Sequence, residues 1–250
     1  MKHLCVVDTC SLIYLSDIEL ARSALHKWLR EEFDVRYSQF VWKKEIIFHM
    51  KKMGSDGRWF LRHGEDLIWP DSRIRSHEAA LFSDEIEAGR CWYCKAVQGT
   101  GTSKCWYCNC VVRKGWTHTP NLSDPIDRGE RHNCCVALDA ILTNEYPEAI
   151  FLTDDIHAIR KYINPVFSMI RLGQIWCSFD LVLNLFTRYR KTITLEMALA
   201  ALKNINEKIS TSAQQNSGNE RPERNVRRLA LYSKKAEDID RFLARTKGGR

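Results

Sequence analysis

Two apolar runs, far apart in the chain, each end in bare carboxylates. Residues 4–7 lead straight into Asp8, and residues 149–152 lead through Thr153 into Asp154 and Asp155. A short continuous apolar run bounded by polar residues is the pattern of a strand buried on both faces of a parallel sheet, and ligands of open α/β sheets sit beyond the carboxyl ends of such strands. The pattern therefore predicts strands that deliver acids to the active edge of a sheet. Like charges crowded together are costly to keep ionised, so clustered carboxylates point to a neutralising divalent metal.

At 250 residues, 44% of them hydrophobic, the chain can bury one full α/β core with an insertion and a tail, but hardly two large domains. Its apolar stretches are only a few residues long, far below the roughly 18 to 20 that cross a bilayer, and the N-terminus enters a strand pattern without a signal peptide's apolar core. No membrane association is expected, and the expected location is cytoplasmic. Ten cysteines in that reducing compartment argue against a disulfide framework and for thiolate metal ligands or small buried hydrophobes. The net charge of +7 is unevenly placed, because residues 221–250 hold ten Lys or Arg against four acids, a local +6. A basic tail beside acidic strand ends suits a polyanionic partner such as nucleic acid; a solvated tail is the plainer alternative.

Strand and helix patterns alternate. Helices are predicted from Ser16 or Asp17 to about Glu32, over 42–53, 76–88, 129–144 and 155–162, with extended chain at 35–41, 67–69 and 175–178 and a polar turn at 54–57. This alternation predicts a doubly wound, mainly parallel α/β sheet. Two C-terminal helices are expected at 181–189 and 194–209, the second capped by Thr194. The Ser-, Asn- and Gln-rich stretch 210–225 reads as a linker, and 226–250 as a basic tail or helix with sparse apolar positions.

Four stretches then line up: Val6-Val7-Asp8-Thr9-Cys10-Ser11; Trp42-Lys43-Lys44-Glu45-Ile46; Gly129-Glu130-Arg131-His132; and Phe151-Leu152-Thr153-Asp154-Asp155. Together they resemble the PIN-domain nucleases, closest to bacterial PIN-like proteins whose third acid lies in a Gly-Glu pair opening a helix. The resemblance covers roughly residues 3–205, interrupted by the cysteine-rich segment, and implies a nuclease domain over 1–90 and 119–209. It implies a three-layer α/β/α sandwich and a Mg²⁺- or Mn²⁺-dependent endonuclease acting on RNA. Carried over by position, Asp8, Glu45, Glu130 and Asp155 match the acidic quartet, with Asp8, Glu130 and Asp155 as metal ligands. Asp154 competes with Asp155 for the last place, and Glu31 or Glu32 is a distant substitute for Glu45. Thr9 and Ser11 match the family's small hydroxyl residues. Small bacterial PIN nucleases often serve as toxins restrained by an inhibitory protein, so such a partner, or a homo-oligomer, is also implied. Asp139 lies two and a half turns beyond Glu130 and should point to the other side of its helix. His132 and His157 flank the acids, where surface or capping roles are the commoner ones.

Residues 91–118 interrupt this pattern. Cys91-Trp-Tyr-Cys94 is followed by Cys105-Trp-Tyr-Cys108. A two-residue gap lets both thiolates of a knuckle reach one ion, and two knuckles make the closed four-cysteine set of a structural zinc site. Cys110 and His118 are spare ligands. Trp92, Tyr93, Trp106, Tyr107 and Trp116 beside Lys95, Lys104, Arg113 and Lys114 suit base stacking and phosphate contact, docking of a protein, or local packing against each other or the sheet domain. The combined expectation is a metal-dependent endoribonuclease with a zinc insertion. The rivals are a catalytically silent PIN-like scaffold that binds nucleic acid or a protein, and a DNA nuclease.

Overall fold

In a computed structural model of the chain, the described residues are 2–70, 72–82, 103–104, 111–112, 128–216 and 222–247. The first apolar run is strand β1 (His3–Val7), and helix α1 (Thr9–Leu15) starts directly after Asp8. After α2 (Leu25–Glu32), strand β2 (Phe33–Arg36) leads into a helical stretch over 41–53, whose first part, Val41–Ile46, is π-wound. Helices α3 (Gly54–His63), α4 (Ile74–Leu81) and α5 (Arg128–Leu142) follow, and then β3 (Ala149–Leu152). Beyond the short helix Ile156–Ala158 come α6 (Asn164–Ile170), β4 (Gly173–Trp176), α7 (Ser178–Arg188), α8 (Leu195–Asn216) and α9 (Pro222–Lys247).

The four strands form one parallel sheet in the order β2-β1-β3-β4, with Val7 opposite Leu152 in register. The central strands are buried on both faces, as their unbroken apolar runs require. Alternate side chains feed separate cores: Cys5, Val7, Ile150 and Leu152 pack with Leu12, Leu29 and Leu181, whereas Leu4, Val6, Ala149 and Phe151 pack with Val136, Tyr162 and Phe167. Both carboxylate-bearing strand ends therefore emerge at one edge. No helix among the described residues is long and apolar enough to cross a membrane.

Several boundaries differ from the sequence reading. Of the helix expected from Ser16 or Asp17 to Glu32, only α2 forms; residues 16–24 make a reversal in which Asp17, Ala21 and Arg22 take positive φ, and α1 precedes it where no helix was expected. In α2, Leu25 and Leu29 keep the apolar spacing that suggested the longer helix. The expected turn at 54–57 opens α3 instead, because Asp17 Oδ1 accepts from Ser55 N at 3.1 Å and supplies the cap from another part of the chain. The extended stretch lies at 33–36 rather than 35–41, and β4 ends at Trp176 because Ser178 already starts α7. Residues 210–216 and 222–225, expected as linker, are helical; a Pro at the opening of α9 is compatible with a first helical turn. Within the cysteine-rich segment only the short antiparallel pair Ser103–Lys104 with Val111–Val112 is described. Cys91, Cys94, Cys105, Cys108, Cys110 and His118, together with the aromatic residues between them, lie outside the described residues.

Candidate active site

β1, β3 and β4 run side by side in the sheet, and their ends are stitched together where the acids begin. The Asp8 amide donates to Leu152 O at 3.0 Å, and Thr153 N donates to Trp176 O at 2.9 Å. Asp8 is 5% exposed. Its Oδ2 accepts from the Thr153 hydroxyl at 2.9 Å and from the Cys10 thiol at 2.8 Å. Thr153 Oγ1 in turn accepts from the Asp155 amide at 3.1 Å. One hydroxyl thus fixes the Asp8 carboxylate against the backbone of Asp155. Burial pushes the Asp8 carboxyl above its ordinary range; the hydrogen bonds from Cys10 and Thr153 oppose this, and the nearby Asp155 charge adds to it.

The small hydroxyls after Asp8 tie in two more acids. Thr9 Oγ1 donates to Glu45 Oε2 at 2.8 Å, and Ser11 Oγ donates to Asp154 Oδ2 at 2.8 Å. The first turn of α1 therefore connects β1's acid to the π-wound segment on one side and to β3's acid pair on the other. Gly129 lets Glu45 lie against the start of α5: a Cβ there would stand 1.9 Å from Glu45 Oε1, so any side chain would displace the carboxylate. Glu130, the next residue, is half-buried on the first turn of α5; one turn on, burial pushes the Cys134 thiol up, with Cys135 and the Glu130 charge adding to it.

Asp154 and Asp155 differ sharply. The Asp154 side chain is 0% exposed. It accepts from Ser11, from the Ser178 hydroxyl and amide, and from Arg228 Nη2 at 2.7 Å. Asp155 is more open and spends Oδ1 as an N-cap, accepting from His157 N at 2.7 Å and Ala158 N at 3.1 Å. Asp154 is a keystone among α1, α7 and α9, whereas Asp155 is the acid that acts on Asp8 through its charge.

Sequence reasoning missed three residues that build this edge. Asn133 is fully buried; its Nδ2 donates to Val7 O at 3.0 Å and its Oδ1 accepts from Ser38 N at 3.0 Å, bracing β1's end against the entry to the Glu45 segment. Its position three residues after Glu130, on the same side of the helix, was the available signal. Ser178 and Arg228 carry no such signal, because their partner lies in a distant strand. His132 is not at the surface: it is buried and bonded to Glu78 at 2.9 Å. Asp139 faces away from the acid edge, as its helical phase predicted, and pairs with Arg73 and His77.

No three His, Cys, Asp or Glu side chains among the described residues are gathered in a metal-holding group. The donor set nonetheless suits a hard cation, since Asp8 and Asp155 are neighbouring carboxylates whose repulsion the hydroxyl and thiol contacts do not neutralise. No protein-family model matches the chain, no curated protein matches it, and no solved structure matches it.

Proposed function

We propose that this chain is a metal-dependent endonuclease of PIN-like type, a three-layer α/β/α sandwich that hydrolyses phosphodiester bonds, with RNA as the substrate. The observation that supports the reading is that the Thr153 hydroxyl links the Asp8 carboxylate to the Asp155 amide at the carboxyl ends of β1 and β3, while Thr9, the residue after Asp8, holds Glu45. Asp8 and Asp155, together with Glu130 from the first turn of α5, would hold Mg²⁺ or Mn²⁺, and Glu45 would complete the acidic lining. Such an ion supplies an acidified water and charge stabilisation for a phosphoryl displacement. The chain's own residues do the positioning. Thr153 and Cys10 orient Asp8, Thr9 orients Glu45, and Asn133 holds the end of β1. Asp154, saturated by Ser11, Ser178 and Arg228, shapes the edge and takes no part in ligation.

We further propose that Cys91, Cys94, Cys105 and Cys108 hold one structural zinc. The support is their spacing alone. Metal analysis of protein purified under reducing conditions is expected to find about one zinc per chain, lost in Cys91→Ser or Cys108→Ser.

The test of the enzyme reading is incubation of purified protein with labelled RNA and DNA in Mg²⁺, Mn²⁺ or EDTA. Cleavage of RNA that EDTA abolishes is expected. Protein that binds RNA but never cuts it under any metal replaces the enzyme with a PIN-like binding scaffold, and cleavage confined to DNA changes the substrate.

A further inference from the structure

The basic C-terminal helix α9 is packed onto the body of the protein. Leu229, Tyr232 and Ile239 pack on the core, and Ala236 is wholly buried. Two side chains fix it at the acid edge. Arg228 donates to Asp154 with its guanidinium carbon 4.7 Å over the Phe179 ring. One turn on, the Tyr232 hydroxyl donates to Asp180 Oδ1 at 2.8 Å while its ring stacks on Phe179 at 5.0 Å. Near the other end Arg190 pairs with Asp240 at 2.6 Å. The helix is held along its length, so its rotational phase is fixed.

That phase sets which residues border the acid edge. An α-helix turns about 100° per residue, so residues four apart nearly share a face and residues seven apart lie two turns along the same stripe. Arg224 is one turn before Arg228, and Lys235 is seven residues after it; both are exposed. Leu231 lies seven residues after Arg224, and Phe242 seven after Lys235. Arg224, Leu231, Lys235 and Phe242 therefore form one stripe, with Arg228 at its inner margin, and no acid falls on it. Leu231 is 54% and Phe242 65% exposed, large apolar groups that core packing does not explain. The acids Glu223, Glu237 and Asp240 fall on other sides of the helix, and Asp238, at the stripe's margin, is tied to Arg241. Cations interleaved with an aliphatic and an aromatic side chain match the two needs of a single nucleic-acid strand, phosphates on the cations and base faces on the apolar groups.

We propose that this stripe of α9 is a docking track for single-stranded nucleic acid, entered at Arg224 beside the acid edge and running past Lys235 to Phe242. It rests on the phosphodiesterase reading for what happens at the entered end, but binding along the track does not require cleavage.

The experiment measures anisotropy of a short fluorescent mixed-sequence strand, RNA in one arm and DNA in the other, over a salt series in EDTA. Arg224→Gln/Lys235→Gln is expected to lower the slope of log K against log salt by about 1.4, from two lost phosphate contacts to a single strand. Phe242→Ala is expected to weaken binding about tenfold with the slope unchanged, the signature of a lost stacking contact. Lys27→Gln/Lys203→Gln, a control pair of exposed lysines on other helices, should leave both quantities near the wild type. A wild-type slope in the α9 double variant, an equal drop in the control pair, or unchanged affinity in Phe242→Ala overturns the track. Similar losses in both arms support a track that reads the strand without its sugar, and losses confined to one arm support a track selective for that sugar. Protein that shows these effects yet never cuts under Mg²⁺ or Mn²⁺ keeps the track and loses the enzyme; protein that cuts with an unaltered slope keeps the enzyme and loses the track.

Discussion

Two groups of buried carboxylates among the described residues are treated in opposite ways. Where α4 meets α5, Glu78 faces Arg131 at 3.3 Å, Arg128 at 3.4 Å and His132 at 2.9 Å, and Asp139 faces Arg73 at 2.9 Å and His77 at 2.8 Å. At the strand ends Asp8 receives a thiol and a hydroxyl and has Asp155 for a neighbour. The titration directions follow. Burial raises the Glu78 carboxyl, but its His132 hydrogen bond and the surrounding positive charges outweigh that and hold it below its ordinary range, whereas burial leaves Asp8 raised. The first arrangement is a lock that stabilises the fold. The second is an unneutralised site, which costs stability and is the kind of place where a cation binds.

The comparison breaks most visibly at Asp8 and Asp155. In Asp8→Asn or Asp155→Asn, metal-dependent RNA cleavage should fall by about three orders of magnitude or more, as expected when a charged metal ligand is lost. In EDTA the melting temperature should hold or rise, because mutual repulsion is relieved. Full cleavage by Asp8→Asn in a preparation free of contaminating nuclease would remove the strand-end site.

Glu78→Gln should do the reverse. Buried Arg131 and His132 lose their counter-charge, and unfolding free energy should drop by about 3 kcal/mol in chemical denaturation. An unchanged midpoint would mean the α4–α5 cluster is not a lock.

Acid sharpens the same contrast. A carboxyl lowered on folding contributes stability that is complete above its unfolded pKa and is lost as pH falls through the folded value. The gap in melting temperature between wild type and Glu78→Gln should therefore be constant down to about pH 4.5, the ordinary value of the group, and close below it. A gap that opens on acidification contradicts the assignment.

The smallest expected effect is at Asp154, which belongs to neither class: it lies at the acid edge yet has a cation. Asp154→Asn should reduce cleavage far less than Asp155→Asn. With Arg228→Met it should show a stability coupling of about 1–3 kcal/mol in a double-mutant cycle. Additive effects would mean that the Arg228 contact does not hold α9 at the edge.

The sequence by itself determined the elements that carry their own local signal. β1 and β3 are legible because a strand buried on both faces has to be apolar throughout, and the helix opening at Gly129-Glu130 and the amphipathic one after Thr194 are legible from their periodicity. The outward phase of Asp139 followed from helical spacing alone. Tertiary structure decided whatever depends on partners distant in sequence. Gly54 to Gly57 reads as a turn, but Asp17 caps it into a helix. The stretch after residue 209 reads as a linker and tail, but Arg228 and Tyr232 dock it. The choice between Asp154 and Asp155 could not be made locally: two adjacent aspartates after a strand are equivalent until the fold brings Ser178 and Arg228 to one of them and leaves the other beside Asp8. Local sequence fixes where a carboxylate can be delivered, and only the packed neighbours fix whether it arrives neutralised.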